Sequence, residues 1–148
     1  LLDEILLNNK YRLDEISATV IKKSLPYCYG DRELVMSLFS NLIDNAIKYR
    51  DKNRNLKITI SAIENDNTVI YSIKDNGKGI AESYIDKIWN IYYRVAPAMA
   101  SDGEGIGLAL VKRIVERHKG KVSVKSKEGS GSTFFVELKK VKFKVEDI

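Results

Sequence analysis

The sequence predicts an α+β domain of three main helices and a mostly antiparallel set of strands, and three observations carry that prediction. Leu34, Val35, Leu38, Leu42, Ile43, Ala46 and Ile47 recur at helical spacing over a broad apolar stripe. Two β-branched runs, Lys57 to Ile63 and Thr68 to Lys74, flank the polar stretch Glu64-Asn65-Asp66-Asn67, the pattern of an antiparallel hairpin. A third apolar stripe, Leu108, Ala109, Val111, Ile114 and Val115, is followed by two further strand-like runs.

Taken in order, Leu2, Ile5, Leu6, Leu13 and Ile16 predict an amphipathic helix running to the Ser17 region, followed by a short strand over Ala18 to Lys23. Leu25-Pro26 and Gly30 punctuate a turn, and Asp31 offers a carboxylate to cap the long second helix. After the hairpin, a short helix is expected near Glu82 to Ile88, then an irregular stretch from Trp89 to Gly105. The third long helix is expected to end at Gly120. Val122 to Lys125 and Ser132 to Leu138 read as closing strands. Glycines cluster at Gly77/Gly79, Gly103/Gly105/Gly107 and Gly129/Gly131, where backbone must bend or approach a ligand closely.

The chain has 148 residues, enough for one core, and is read as a single domain over 1–148 with a basic tail at 139–148. No run approaches the roughly 18 apolar residues of a membrane span, and the first residues lack the basic start of a signal peptide. With Cys28 and His118 as the lone cysteine and histidine, neither an internal disulfide nor a zinc cluster is expected, and a reducing, cytoplasmic setting fits. The net charge of +5 comes from lysines scattered along the chain, which read as a solvated surface rather than a nucleic-acid footprint.

Four segments carry chemistry. On the second helix Asn41, Asn45 and Lys48 lie at i, i+4 and i+7, so two amide oxygens and an ammonium converge, an arrangement suited to magnesium and phosphate. Asp75-Asn76-Gly77-Lys78-Gly79-Ile80 follows a strand, and a carboxylate there can accept from the exocyclic amine of adenine while repelling the acceptor that guanine presents. Asp102-Gly103-Glu104-Gly105-Ile106-Gly107-Leu108 opens the third helix, where main-chain N–H groups and the positive helix end could receive a triphosphate. Its context matches neither the Rossmann fingerprint nor a Walker A loop. Gly129-Ser130-Gly131-Ser132-Thr133-Phe134 is a turn into the last strand that could bring a hydroxyl near the base.

In this order and at these separations the segments resemble the N, G1, G2 and G3 boxes of histidine kinases, within the wider family that holds DNA gyrase, MutL and the heat-shock chaperone ATPases. Ile88-Trp89-Asn90-Ile91-Tyr92-Tyr93-Arg94-Val95 resembles the additional F box. The resemblance implies the Bergerat fold, a two-layer α/β sandwich with helices on one face of a mixed sheet and a mobile ATP lid, here Val95 to Glu104. It implies ATP and Mg2+ as ligands, with Asn45 on the metal, Asn41 supporting the phosphates, and Lys48 and Arg94 contacting them; these four would be the catalytic set. Tyr49, Ile80 and Ser132 or Thr133 would line the base beside Asp75, Gly77 and Gly79, with Tyr93, Gly103, Gly105, Ile106, Gly107 and Leu108 completing the nucleotide site. Trp89, Tyr92 and Tyr93 are expected to anchor the lid or pack in the core.

In the gyrase-like hydrolases the place of Asn41 resembles a glutamate that activates water, and an amide cannot act as that base. Asp44, the nearest carboxylate, is expected off the common face. The resemblance therefore implies transfer of the γ-phosphate to a histidine, as in two-component signalling, with a dimerisation and phosphoacceptor module and a downstream response regulator as partners. No segment here matches that module, and Leu1 to Ile16 would be the helix that joins it. His118, at the end of the third helix, is read as serving the helix terminus. The chain is expected to bind ATP without phosphorylating itself, as a monomer with no nucleic-acid or membrane contact. A non-transferring nucleotide-binding module and a protein serine kinase of the same superfamily are the alternatives.

Overall fold

The structure is a computed structural model and describes residues 1–90 and 107–141. It contains α1 (Leu2–Asn8), α2 (Lys10–Glu15), β1 (Thr19–Lys22), α3 (Arg32–Lys48), β2 (Lys57–Glu64), β3 (Thr68–Asp75), α4 (Gly107–Arg117), β4 (Lys121–Lys127) and β5 (Gly131–Lys139). The strands form one five-stranded sheet in the order β1-β2-β3-β5-β4. The β1–β2 pair is parallel and the others antiparallel, so the sheet is mixed but mostly antiparallel, as expected. The parallel pair requires a crossover, and α3 supplies it.

Strand alternation sends Ile58 and Ile60 of β2, Val69, Tyr71 and Ile73 of β3, and Phe134, Val136 and Leu138 of β5 to one face, where all are buried. Against them lie Leu38, Leu42 and Ile43 of α3 and Val111, Ile114 and Val115 of α4, giving two layers around one core. Fully burying each such side chain contributes roughly 1.5–3 kcal/mol. Phe39 meets Tyr71 edge to face at 5.4 Å, while the Tyr71 hydroxyl donates to the Pro26 carbonyl at 2.6 Å. Trp89 likewise packs edge to face on Phe134 at 6.0 Å, the packing role expected of it. The opposite face carries Lys57, Lys74, Lys121 and Lys125, all exposed, so part of the positive charge lies on a solvated surface.

Three expectations about elements need correction. The leading helix is two short ones, because the Asn9 side chain donates to the Ile5 carbonyl at 2.9 Å and competes with the helical backbone. The expected helix near Glu82 to Ile88 is a single 3-10 turn, Glu82–Tyr84, in which Tyr84 N–H bonds the Ala81 carbonyl at 2.9 Å. The third long helix stops at Arg117, and Lys119 rather than Gly120 takes the left-handed conformation, with φ 55. Gly120 is needed for a different reason: a Cβ there would come within 2.2 Å of the Glu137 carbonyl.

Cys28 is a free, half-buried thiol whose pKa is raised by burial. Among the described residues no helix is long and apolar enough to cross a membrane. Of the basic tail, 142–148 lies outside the described residues.

Candidate nucleotide site

The Asp31 side chain accepts from Leu34 N–H at 3.0 Å, so the predicted cap fixes the start of α3 and with it the rotation of the helix. With the apolar stripe buried, Asn41, Asn45 and Lys48 fall on a half-buried edge. The Asn41 amide nitrogen donates to the Ser37 carbonyl at 2.7 Å, which turns its oxygen outward. That oxygen faces Gly107, where a built Cβ would stand 3.0 Å away, so the first residue of α4 closes directly over the amide. Asn45 makes no side-chain hydrogen bond among the described residues. Lys48 Nζ pairs with Asp44 at 3.0 Å, and the other Asp44 oxygen takes Arg12 of α2 at 2.9 Å. Asp44 is thus not remote from the polar edge as expected; it draws Lys48 toward itself through the i,i+4 relation.

Asp75 is the last residue of β3 and points to the helix-bearing face, in register with Ile58 on β2 and Ser132 on β5. Its Oδ1 accepts from Gly77 N–H at 2.9 Å and Ser132 N–H at 3.3 Å. Burial pushes its carboxyl above the usual value of 3.8, and the two N–H donors oppose that shift. Gly77 sits against the C-terminus of α3, where a Cβ would lie 2.6 Å from the Tyr49 carbonyl, and that carbonyl accepts from Lys78 N–H at 3.0 Å. Tyr49 therefore meets the Asp75 loop through its main chain. Gly79 has φ +71, and a Cβ there would lie 2.1 Å from the Lys127 carbonyl.

The β4–β5 turn closes the site. Ser126 Oγ receives the Ile80 N–H at 2.7 Å, donates to the Gly131 carbonyl at 3.0 Å and lies 2.8 Å from Ser132 Oγ. Ser132 is buried on the Asp75 side, whereas Thr133 projects from the opposite face between Lys74 and Lys125. Of the two hydroxyls expected near the base, alternation leaves only Ser132 beside the carboxylate. Arg54, which the sequence does not single out, donates to the carbonyls of Asn76, Gly77 and Gly129. It stands in the polar run Asp51-Lys52-Asn53-Arg54-Asn55, where no periodicity marks it.

The structure therefore gathers Asp75, Gly77, Gly79, Ile80 and Ser132 at one end of the sheet, joins them to α3 through Tyr49, and sets Gly107 against Asn41. Leu108 packs partly buried against the core. Tyr92, Tyr93, Arg94, Gly103, Gly105, Ile106 and the lid expected over Val95 to Glu104 lie outside the described residues. Among the described residues no group of three or more His, Cys, Asp or Glu could hold a metal by itself. The amide oxygens of Asn41 and Asn45 suit a cation that keeps waters and takes phosphate oxygens as its remaining ligands, which is the habit of magnesium.

Comparison with known proteins agrees with this architecture. The model of the histidine kinase-, DNA gyrase B- and HSP90-like ATPases matches residues 30–142. Cyanobacterial phytochrome B of Nostoc sp. is 41% identical over 133 residues, covering 88% of this chain and 18% of the relative. Sensor protein SrrB of Staphylococcus aureus is 32% identical over 147 residues, covering 95% of this chain and 24% of the relative. The chain thus spans about a fifth of the length of these relatives. The catalytic domain of the histidine kinase ThkA shares the fold with a TM-score of 0.79 at 22% identity, covering 95% of this chain and 92% of that one. The mycobacterial sensor histidine kinase MprB gives a TM-score of 0.78 at 23% identity, covering 93% and 95%. The chain belongs to the family of histidine kinase-, DNA gyrase B- and HSP90-like ATPases.

Proposed function

We propose that this chain binds Mg-ATP and presents its γ-phosphate to a histidine on a separate phosphoacceptor module, as the catalytic domain of a sensor kinase. The observation that carries the reading is Asp75, a half-buried carboxylate held at one oxygen by Gly77 and Ser132 N–H, its second oxygen left to accept among the described residues. An adenine amine is the donor that complements it. A hydrogen bond to a charged group contributes roughly 1.5–3 kcal/mol, enough to select adenine over guanine by one to two decades.

The Asn45 amide would hold the magnesium ion and Asn41 would support the phosphates, and the ion would supply charge neutralisation on the transferred group. Lys48 would contact the phosphates, exchanging its Asp44 partner for them. Arg94, with its two-pronged guanidinium, is proposed for the same task. Asn41 cannot take a proton, so water is not activated from that position. A neutral imidazole needs no such base: its nitrogen lone pair forms the bond to phosphorus as the bond to the ADP oxygen breaks, and the ring then loses its N–H proton. His118 is not that acceptor, because Nε2 already accepts from Asp31 N–H at 3.0 Å and Nδ1 lies 2.8 Å from the Ile114 carbonyl. The resemblance to SrrB and the phytochromes supports a place in two-component signalling, with a response regulator downstream.

Calorimetric titration with non-hydrolysable ATP and GTP analogues, with and without magnesium, tests the reading. Magnesium-assisted binding of the adenine nucleotide alone supports it and leads to transfer assays on a separately made phosphoacceptor module. Binding of neither nucleotide would overturn it.

A further inference from the structure

We propose that Arg54 is a positioning residue for the nucleotide base: it pins the Asp75 loop to the β4–β5 turn and so sets the Asp75 carboxylate against Ser132. The inference rests on the reading that Asp75 receives the adenine amine.

Arg54 Nε donates to the Asn76 carbonyl at 2.7 Å, and Nη2 donates to the Gly77 and Gly129 carbonyls, both at 2.8 Å. One planar group thereby spans two segments that are distant in sequence. Gly77 and Gly129 carry no side chains with which to hold themselves, and glycine backbone has the most freedom to lose on ordering. A direct main-chain link between the two segments is the Gly129 N–H donating to the Lys78 carbonyl at 2.6 Å.

The guanidinium is itself aimed. Asp51 winds the loop after α3, accepting from Asn53 N–H at 2.9 Å through its side chain and from Arg54 N–H at 3.3 Å through its carbonyl. Its carboxylate also meets Arg54 Nη1 at 3.2 Å. All three guanidinium nitrogens are therefore engaged. An ammonium at this place would be a point donor and could not reproduce the fork. From the β2 side Asn76 holds the same loop, accepting from Lys57 N–H at 2.8 Å and donating to the Asn55 carbonyl at 3.0 Å. Apart from its ion pair with Asp51, the Arg54 side chain bonds to main-chain carbonyls and not to Asp75 or Ser132, so it acts on the base through the loops it joins.

The test compares the chain with Arg54→Ala and Arg54→Lys. It measures affinity for the ATP and GTP analogues, the amide NMR signals of Gly77 and Ser132, and the melting temperature. Arg54→Ala is expected to weaken the ATP analogue about ten-fold or more, with a smaller change for GTP, so that discrimination falls. The two amide signals should move while the melting temperature stays nearly constant, and Arg54→Lys should recover only a minor part of the loss. Unchanged ATP affinity with unmoved amides would overturn the proposal. So would a fall in affinity that tracks a fall in melting temperature and is fully restored by lysine, which is what a merely structural role predicts. If the unaltered chain bound neither nucleotide, the adenine reading would fall, whereas unmoved amide signals in Arg54→Ala would separately sink the clamp.

Discussion

Asp75 and Ser132 stand opposite one another on adjacent strands, and the Ser132 N–H donates to Asp75 Oδ1 at 3.3 Å on the helix-bearing face of the sheet. The pairing leaves a carboxylate partly removed from water at a strand end, where its charge is disfavoured unless a donor arrives. A site held in this way is sensitive to protonation and to the removal of the charge.

For Asp75→Asn, the affinity for an adenine nucleotide should fall by about one to two decades while the chain remains folded. Burial raises the folded-state pKa above 3.8, so over the window between the unfolded and folded values the folded chain binds more protons than the unfolded one. Stability therefore decreases as pH rises through that window, and the asparagine variant should lack this slope. Denaturation across acidic pH checks it; a difference between the two proteins that is flat with pH would contradict the raised pKa. Nucleotide affinity should run the other way, weakening as pH falls and the acceptor is protonated.

Gly131 and Gly129 offer an internal contrast. Gly131 has φ +129 and a Cβ there would lie 2.1 Å from the Asp75 carbonyl, whereas Gly129 has φ +85 and open space around it. Gly129→Ala should cost about 1–2 kcal/mol from backbone strain alone. Gly131→Ala should cost more than about 3 kcal/mol, because a main-chain clash is added to the strain. Urea denaturation of the two variants decides it, and equal costs would contradict the close approach.

Asp44 competes for Lys48, which it holds at 3.0 Å. If Lys48 contacts phosphate, Asp44→Asn releases the ammonium and removes a nearby negative charge, and a triphosphate should bind up to about five-fold more tightly at low salt. The gain should shrink as ionic strength rises. Calorimetry at two salt concentrations measures both effects, and an unchanged low-salt affinity would argue against the role given to Lys48.

His118 joins the end of α4 to the start of α3, and Gly30 lies close enough that a Cβ would meet its ring at 2.9 Å. His118→Ala leaves the Asp31 N–H without its acceptor and should lower stability by about 1 kcal/mol. Nucleotide affinity and transfer to a phosphoacceptor module should be unaffected. Thermal melting and a transfer assay separate the two; loss of transfer without loss of stability would reopen the question of His118 as an acceptor.

Much of the fold is legible in the sequence because it rests on local periodicity. The α3 stripe, the Asp31 cap and the hairpin between β2 and β3 each follow from spacing within a few residues. The break at Asn9 is not legible, since an asparagine in an amphipathic pattern gives no sign whether its side chain will compete for the backbone. The same holds for Lys119, which takes the left-handed conformation although a glycine follows it.

The available chemistry is written in the residues: two amides and an ammonium on one helix edge, a carboxylate after a strand, and glycines where backbone approaches backbone. Those assignments depend on residue type and short-range spacing, which the chain carries before it folds. Which of these groups meet depends on how the elements pack. Pairing β3 with β5 selected Ser132 over Thr133, closing α4 on α3 put Gly107 over Asn41, and α2 drew Asp44 into an ion pair with Arg12. Arg54 found its three carbonyls for the same reason, because contacts between segments far apart in the chain exist only once strand register and helix packing bring them within hydrogen-bonding distance.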